Sequence, residues 1–239
     1  MSRGVIWAVV LALSCSVEAA QAESVSVGTP ASGSLKDGVS LPSLGKGFVA
    51  YSALGNLLGR QYVHSRVYDT LLDAFASLQA ATPDRLFVLG ETGLKAGGRF
   101  RPHRTHQNGL SVDIFRPVRD NRARHVPMPT APWNKFGYSL EFDSRGEGDG
   151  VSIDFESVAE LLVELDRQAE RHGLAIERII VAPEYVERVL SAKKPSGITR
   201  LADRFMRNAA WVRHDEHLHV DFRVVTPAKQ GKARASAAQ

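Results

Sequence analysis

His217-Leu218-His219-Val220-Asp221-Phe222-Arg223-Val224 sets the fold of this chain. Leu218, Val220, Phe222 and Val224 recur every second residue, the period of an extended strand. His217 and His219 then leave the opposite face together, a few ångströms apart. A strand with one apolar face has a core to lie on, and that anchors both imidazoles in direction. Just upstream stands His214-Asp215-Glu216.

A second segment repeats the device. In residues 110–115, Leu110, Val112 and Ile114 face one way, and Ser111, Asp113 and Phe115 the other. His106 lies seven residues before Asp113, across Asn108-Gly109, a pair that favours a turn. Such a turn folds the histidine back towards the carboxylate. His103 lies one further step upstream. Two histidines and one carboxylate are a common catalytic zinc set, with a fourth position left for water. Taken singly, each feature has a plain explanation. A lone His-x-His arises by chance, Asp113 could be a strand-edge charge, and His103 and His214 could be solvated. Taken together they point to one metal site, because five of the eight histidines fall in two short windows. His64, His125 and His172 lie outside those windows and read as structural or exposed. Glu147 and Asp149 read as a solvated turn, since a calcium loop needs more oxygen ligands at regular spacing.

The rest of the chain frames these motifs. It has 239 residues, 44% hydrophobic and 23% charged, which suits one domain with a single core. Residues 67–80 place Val67, Tyr68, Leu71, Leu72, Phe75 and Leu78 at helical spacing. Residues 85–89 read as a short buried strand. Residues 154–172 read as a helix capped by Asp154, stapled by Ile153 and Val158 and ended by Gly173. Residues 175–182 read as a strand, and Pro183 opens a short helix through Leu190. The expected fold class is therefore α+β: a small antiparallel sheet carrying the zinc site, flanked by helices. Residues 127–150 form a long loop, which could wall a substrate groove.

Residues 1–22 read as a secretory signal, with Arg3, a short apolar run and a small-x-small site at Ala20-Gln21-Ala22. An N-terminal membrane anchor is the alternative. Residues 23–46 read as an irregular arm, residues 47–226 as the domain that carries the zinc motifs, and residues 227–239 as a disordered tail. Cys15 is the only cysteine, so the mature chain would have no disulfide, and its metal would be bound by nitrogen and oxygen. The formal charge of +4 carries no basic motif, so nucleic acid is not an expected partner.

His106-Gln107-Asn108-Gly109-Leu110-Ser111-Val112-Asp113, with His217-Leu218-His219, resembles the zinc peptidases of the lysostaphin and D-alanyl-D-alanine metallopeptidase group. The extra His103 and the longer run from His214 to His219 resemble the penicillin-insensitive murein endopeptidases within it. The resemblance implies that His106, Asp113 and His219 bind Zn2+. It implies that His217 lies beside the metal as a base or transition-state stabiliser, with His103 and His214 completing the site. Trp211 could line the groove or pack in the core. The implied activity is periplasmic cleavage of peptide cross-links in peptidoglycan, with no stable membrane insertion after signal cleavage. A carboxypeptidase of the same group, drawing on Arg99, Arg101 or Arg104 to hold a free carboxylate, is the alternative enzyme. A non-catalytic murein-binding module is the alternative outside enzymes. Better-known members carry several cysteines, which this chain lacks.

Overall fold

The computed structural model describes residues 22–225, except 149, 209 and 211. The signal and tail segments therefore lie outside the described residues, apart from Ala22, and so does Trp211.

The central sheet has six strands: β1 (Leu44–Gly45), β2 (Phe48–Ala50), β3 (Phe87–Leu89), β4 (Ser111–Phe115), β5 (Leu174–Ile180) and β6 (His217–Val224). Their spatial order is β5-β6-β4-β3-β2-β1. The strands that carry the motifs pair antiparallel, β6 with both β5 and β4. β2 and β3 run parallel, so the sheet as a whole is mixed. The class is α+β, as the patterning indicates.

Among the described residues, the helices of eight residues or more that flank the sheet are α1 (Ser65–Ala81), α2 (Phe155–Arg171) and α3 (Pro183–Leu190). α1 and α2 pack on each other. Their buried stripes, Val67, Leu71 and Phe75 on one and Val158, Leu161, Leu162 and Leu165 on the other, share one core with Val112, Ile114, Leu218, Val220 and Phe222. That is the destination of the apolar faces of β4 and β6. Asp154 caps α2, its carboxylate accepting from the Ser157 N–H at 3.1 Å, and Gly173 follows the helix at φ +68°. Both residues act as the capping pattern indicates. Ile153 and Val158 are both buried in the same core.

One expectation needs correction. Residues 23–46 are not irregular throughout. Val25–Thr29 and Ser32–Lys36 form an antiparallel hairpin in full register. Their side chains are mostly exposed, so no hydrophobic alternation announces the strands. Backbone and short polar contacts dock the hairpin instead: the Ser26 hydroxyl donates to the Asn108 carbonyl at 2.6 Å, and the Gln107 N–H donates to the Pro30 carbonyl at 3.0 Å. The hairpin thereby buttresses the turn that carries His106. The polar faces of β4 and β6 are covered as well. Every residue of β4 and the first six of β6 are buried. Loops cover that face, and the site is cut into the covering.

Candidate functional site

Strand register creates the centre of the site. His219 on β6 stands directly opposite Asp113 on β4, and Asp221 stands opposite Ser111 one step along the same face. His219 Nδ1 lies 2.8 Å from Asp113 Oδ1. Asp113 is fully buried on an interior strand, which rules out the strand-edge explanation.

His106 arrives from the loop. It is buried and adopts φ +68°, a left-handed backbone seen more often at functional sites than elsewhere. Its Nδ1 faces the Thr92 carbonyl at 3.0 Å, and a carbonyl can only accept. Nδ1 therefore carries the proton and Nε2 the lone pair. Nε2 lies 3.2 Å from Asp113 Oδ1 but has no hydrogen-bond partner. A buried acceptor left without a donor is costly in a finished site. It fits a place where a cation belongs.

His103, His214 and His217 complete a ring of five imidazoles. His103 Nε2 contacts Glu91 at 2.6 Å, and its Nδ1 is 3.5 Å from Asp113 Oδ2. Among the described residues, His103, His106 and Asp113 form a set that could hold a metal ion, with ligand atoms within 4.8 Å of one another. His217 Nδ1 meets Glu216 Oε1 at 2.9 Å, so Nε2 faces the site, 3.7 Å from Asp113 Oδ2. His214, at φ +51°, bonds the Val212 carbonyl through Nδ1 and lies 4.7 Å from the His217 ring, centroid to centroid. All five histidines named by the motifs thus come together. His64 instead caps α1, and His172 pairs with Asp73 at the end of α2.

The electrostatics show a site built around positive charge. Burial disfavours a charged Asp113, but His106 and His217 more than offset this and hold its carboxyl well below the usual range. Burial likewise opposes an imidazolium at His219, yet Asp221 and Asp113 push it up to about 10. A proton caught between two carboxylates holds the positive charge there. His214 goes the other way: burial and the neighbouring His217 pull it down to about 4.

The surrounding residues give roles to groups that sequence reading leaves open. The Glu216 carboxylate orients His217. The Asp215 carboxylate accepts from the Phe142 N–H at 2.8 Å and ties residues 127–150 to the site. Arg116, buried beneath, donates to the carbonyls of His214 and Asp215 and holds this segment in place. Glu91, Tyr138 and Asp221 escaped the sequence reading altogether. Glu91 accepts from Tyr51 at 2.7 Å, from Nε and one terminal nitrogen of Arg60 and from His103. Burial disfavours its charge, but His103 and Arg60 bring it down to about 2. Tyr138 donates to Asp113 Oδ2 at 3.3 Å. No periodic signal marks Glu91 or Tyr138, because both are placed by loops. Asp221 did have a signal, since it continues the polar face two residues beyond His219.

The site opens into a cleft of about 670 Å³. Tyr51, Leu54 and Leu58 lie along it, with Lys135, Phe136 and Tyr138 supplied by the long loop. That loop does wall the groove. Asn134 shapes it, its Oδ1 accepting from the N–H groups of Ala131 and Gly137 at 2.9 and 2.8 Å. These bonds bracket Lys135 and Phe136, two consecutive left-handed residues. Of the three arginines considered for a carboxylate, only Arg101 lines the cleft.

Five imidazoles and two carboxylates at the floor of a groove make a centre able to hold a metal ion and to move protons. The chain belongs to the penicillin-insensitive murein endopeptidase family, whose pattern residues 26–239 match. It is thus a peptidase family member that acts on peptidoglycan. No curated protein matches the chain. Among the described residues, no helix is long and apolar enough to cross a membrane.

Proposed function

We propose that the protein is an exported, zinc-dependent endopeptidase that hydrolyses the D-alanyl to meso-diaminopimelate cross-link of peptidoglycan in the periplasm. The observation that carries this reading is the convergence on Asp113 of the His106 Nε2 lone pair and His219 Nδ1. His106, Asp113 and His219 would hold the metal. Zinc bound there would lower the pKa of a water towards neutrality and polarise the scissile carbonyl.

The chain's own residues do the rest. Glu216 holds His217 so that Nε2 faces the centre, where it takes a proton from the attacking water. His103 would flank the reacting carbonyl and could donate to the developing oxyanion or to the leaving amine, whereas His214, whose Nδ1 proton goes to the Val212 carbonyl, would offer its Nε2 lone pair as an acceptor. The cleft walls orient the stem peptides, with Lys135 and Arg101 offering positive charge to substrate carboxylates. No serine nucleophile is needed, so a β-lactam has no acylation target.

The cluster of His103, His106 and Asp113 favours a second ligand set, in which His103 replaces His219. His103 Nε2, however, already binds Glu91. Zinc analysis of His103→Ala and His219→Ala separates the two: only the true ligand's loss empties the site. Arg101 in the cleft also favours the carboxypeptidase alternative. Digestion of cross-linked muropeptide dimers and of linear pentapeptides decides it. Conversion of dimers to monomers supports the endopeptidase, and loss of terminal alanine alone rejects it.

A further inference from the structure

Asp221 lines a different cavity, yet one of its oxygens reaches His219. We infer that Asp221 is a positioning residue that locks His219 in the tautomer presenting Nδ1 to the metal. This inference rests on the zinc reading above.

The carboxylate is surrounded by donors. Its Oδ1 accepts from the Ser111 hydroxyl at 2.6 Å and lies 2.8 Å from His219 Nε2. Its Oδ2 accepts from Arg178 Nε at 2.8 Å and from a terminal nitrogen of Arg178 at 2.5 Å. Asp221 is 1% exposed and Ser111 fully buried, so water does not compete. A carboxylate clamped by a guanidinium stays ionised and can only accept. The His219 Nε2 facing it must therefore carry a proton. A neutral His219 then has its lone pair on Nδ1, the nitrogen 2.8 Å from Asp113. A hydrogen-bonded carboxylate behind a ligating histidine fixes both ring orientation and tautomer.

His106 is locked the opposite way. Its Nδ1 donates to the Thr92 carbonyl and leaves Nε2 as the donor atom. The two imidazoles thus turn different nitrogens towards Asp113, and His219 Nδ1 would become a lone-pair donor when a metal displaces its proton. Without Asp221, a neutral His219 could move its proton to Nδ1 and donate to Asp113, which removes a metal ligand without removing the residue. Register makes the arrangement cheap to build: His219 with Asp113 and Asp221 with Ser111 are successive cross-strand pairs on one face. Arg178 reaches Asp221 from the neighbouring strand β5 and is itself half-exposed.

The test is the zinc dissociation constant, measured on the full chain by competition with a chromophoric chelator. Long-range ¹H–¹⁵N spectra of His219 in the zinc-loaded protein accompany it. The wild type should bind one zinc and show a protonated Nε2, and His219→Ala should lose the metal. Asp221→Asn should bind zinc roughly 10- to 100-fold more weakly and show a mixed tautomer. Arg178→Met, at a half-exposed position, should weaken zinc less and shift the Nε2 signal in the same direction. If His219→Ala loses zinc while Asp221→Asn keeps wild-type affinity and tautomer, the positioning role is overturned and the zinc reading survives. If the wild type binds no zinc, or His219→Ala binds it normally, both are overturned. Should Asp221→Asn fail to fold, an Arg178→Met protein with unchanged affinity and unchanged tautomer overturns the relay.

Discussion

The strands and the loops build the two halves of this site by different means. Asp113, His217 and His219 stand on β4 and β6, where the pleat fixes which face each side chain takes and the register fixes its partner. His103, His106, His214 and Tyr138 stand on loops, where hydrogen bonds and unusual backbone do that work. His106 and His214 are both left-handed, and Lys135 and Phe136 are left-handed in the loop that delivers Tyr138. The strand half is positioned by paired backbone that also holds the core. The loop half is positioned by local bonds that can be cut one at a time. Loss of a strand ligand, Asp113 or His219, or of His106, which the loop brings to them, should therefore remove the metal, whereas cutting the bonds that shape the loop wall should detune substrate binding.

The sharpest break in that comparison is His219→Ala. It should empty the site of zinc and lower turnover by ~10³-fold or more, as read by metal analysis and muropeptide digestion. His217→Ala comes next, from the same strand but without a ligand's role. It should retain zinc and lose on the order of 10²- to 10⁴-fold in kcat. Full activity in that variant would remove His217 from the proton transfer. In the loop half, Asn134→Ala frees Lys135 and Phe136 from their two flanking bonds. It should leave zinc and kcat nearly intact and raise KM roughly 3- to 10-fold, the scale of about 1 kcal/mol for a lost hydrogen bond.

The smallest effect should come from a residue in neither half. Asp154→Ala removes the cap of α2 and should cost about 1 kcal/mol of stability at neutral pH with zinc unaffected. Burial raises the Asp154 carboxyl, but the Ser157 hydroxyl and N–H, with Arg119, hold it below its ordinary value. A depressed carboxyl stabilises the fold above its unfolded pKa of about 3.9 and loses that contribution as pH falls through the lower, folded value. The melting difference between wild type and Asp154→Ala should therefore be full at pH 6 and shrink below pH 4. A difference that grows with acid would contradict the assignment.

The same contrast explains how much the sequence discloses. Period-two alternation put His217, His219 and Asp113 on polar faces, and helical spacing with Asp154 and Gly173 placed α2, because these signals are local. Asn108-Gly109 was legible as a turn, with Gly109 at φ +76°. The Thr92 carbonyl that orients His106 was not legible, since it is a backbone atom brought in by tertiary packing. Glu91 was invisible for a related reason: its partners Tyr51, Arg60 and His103 come from distant segments. The hairpin at residues 25–36 was missed because it buries little side chain and is held by backbone bonds. Asp221 is different, since the alternation that marks His219 marks it too.

The most direct test of the central claim is mass analysis of purified cross-linked muropeptide dimers digested by the full chain, before and after chelation and zinc readdition. The account predicts conversion to monomers that chelation stops and zinc restores. No conversion by a folded, zinc-loaded protein, or conversion indifferent to chelation, would contradict it.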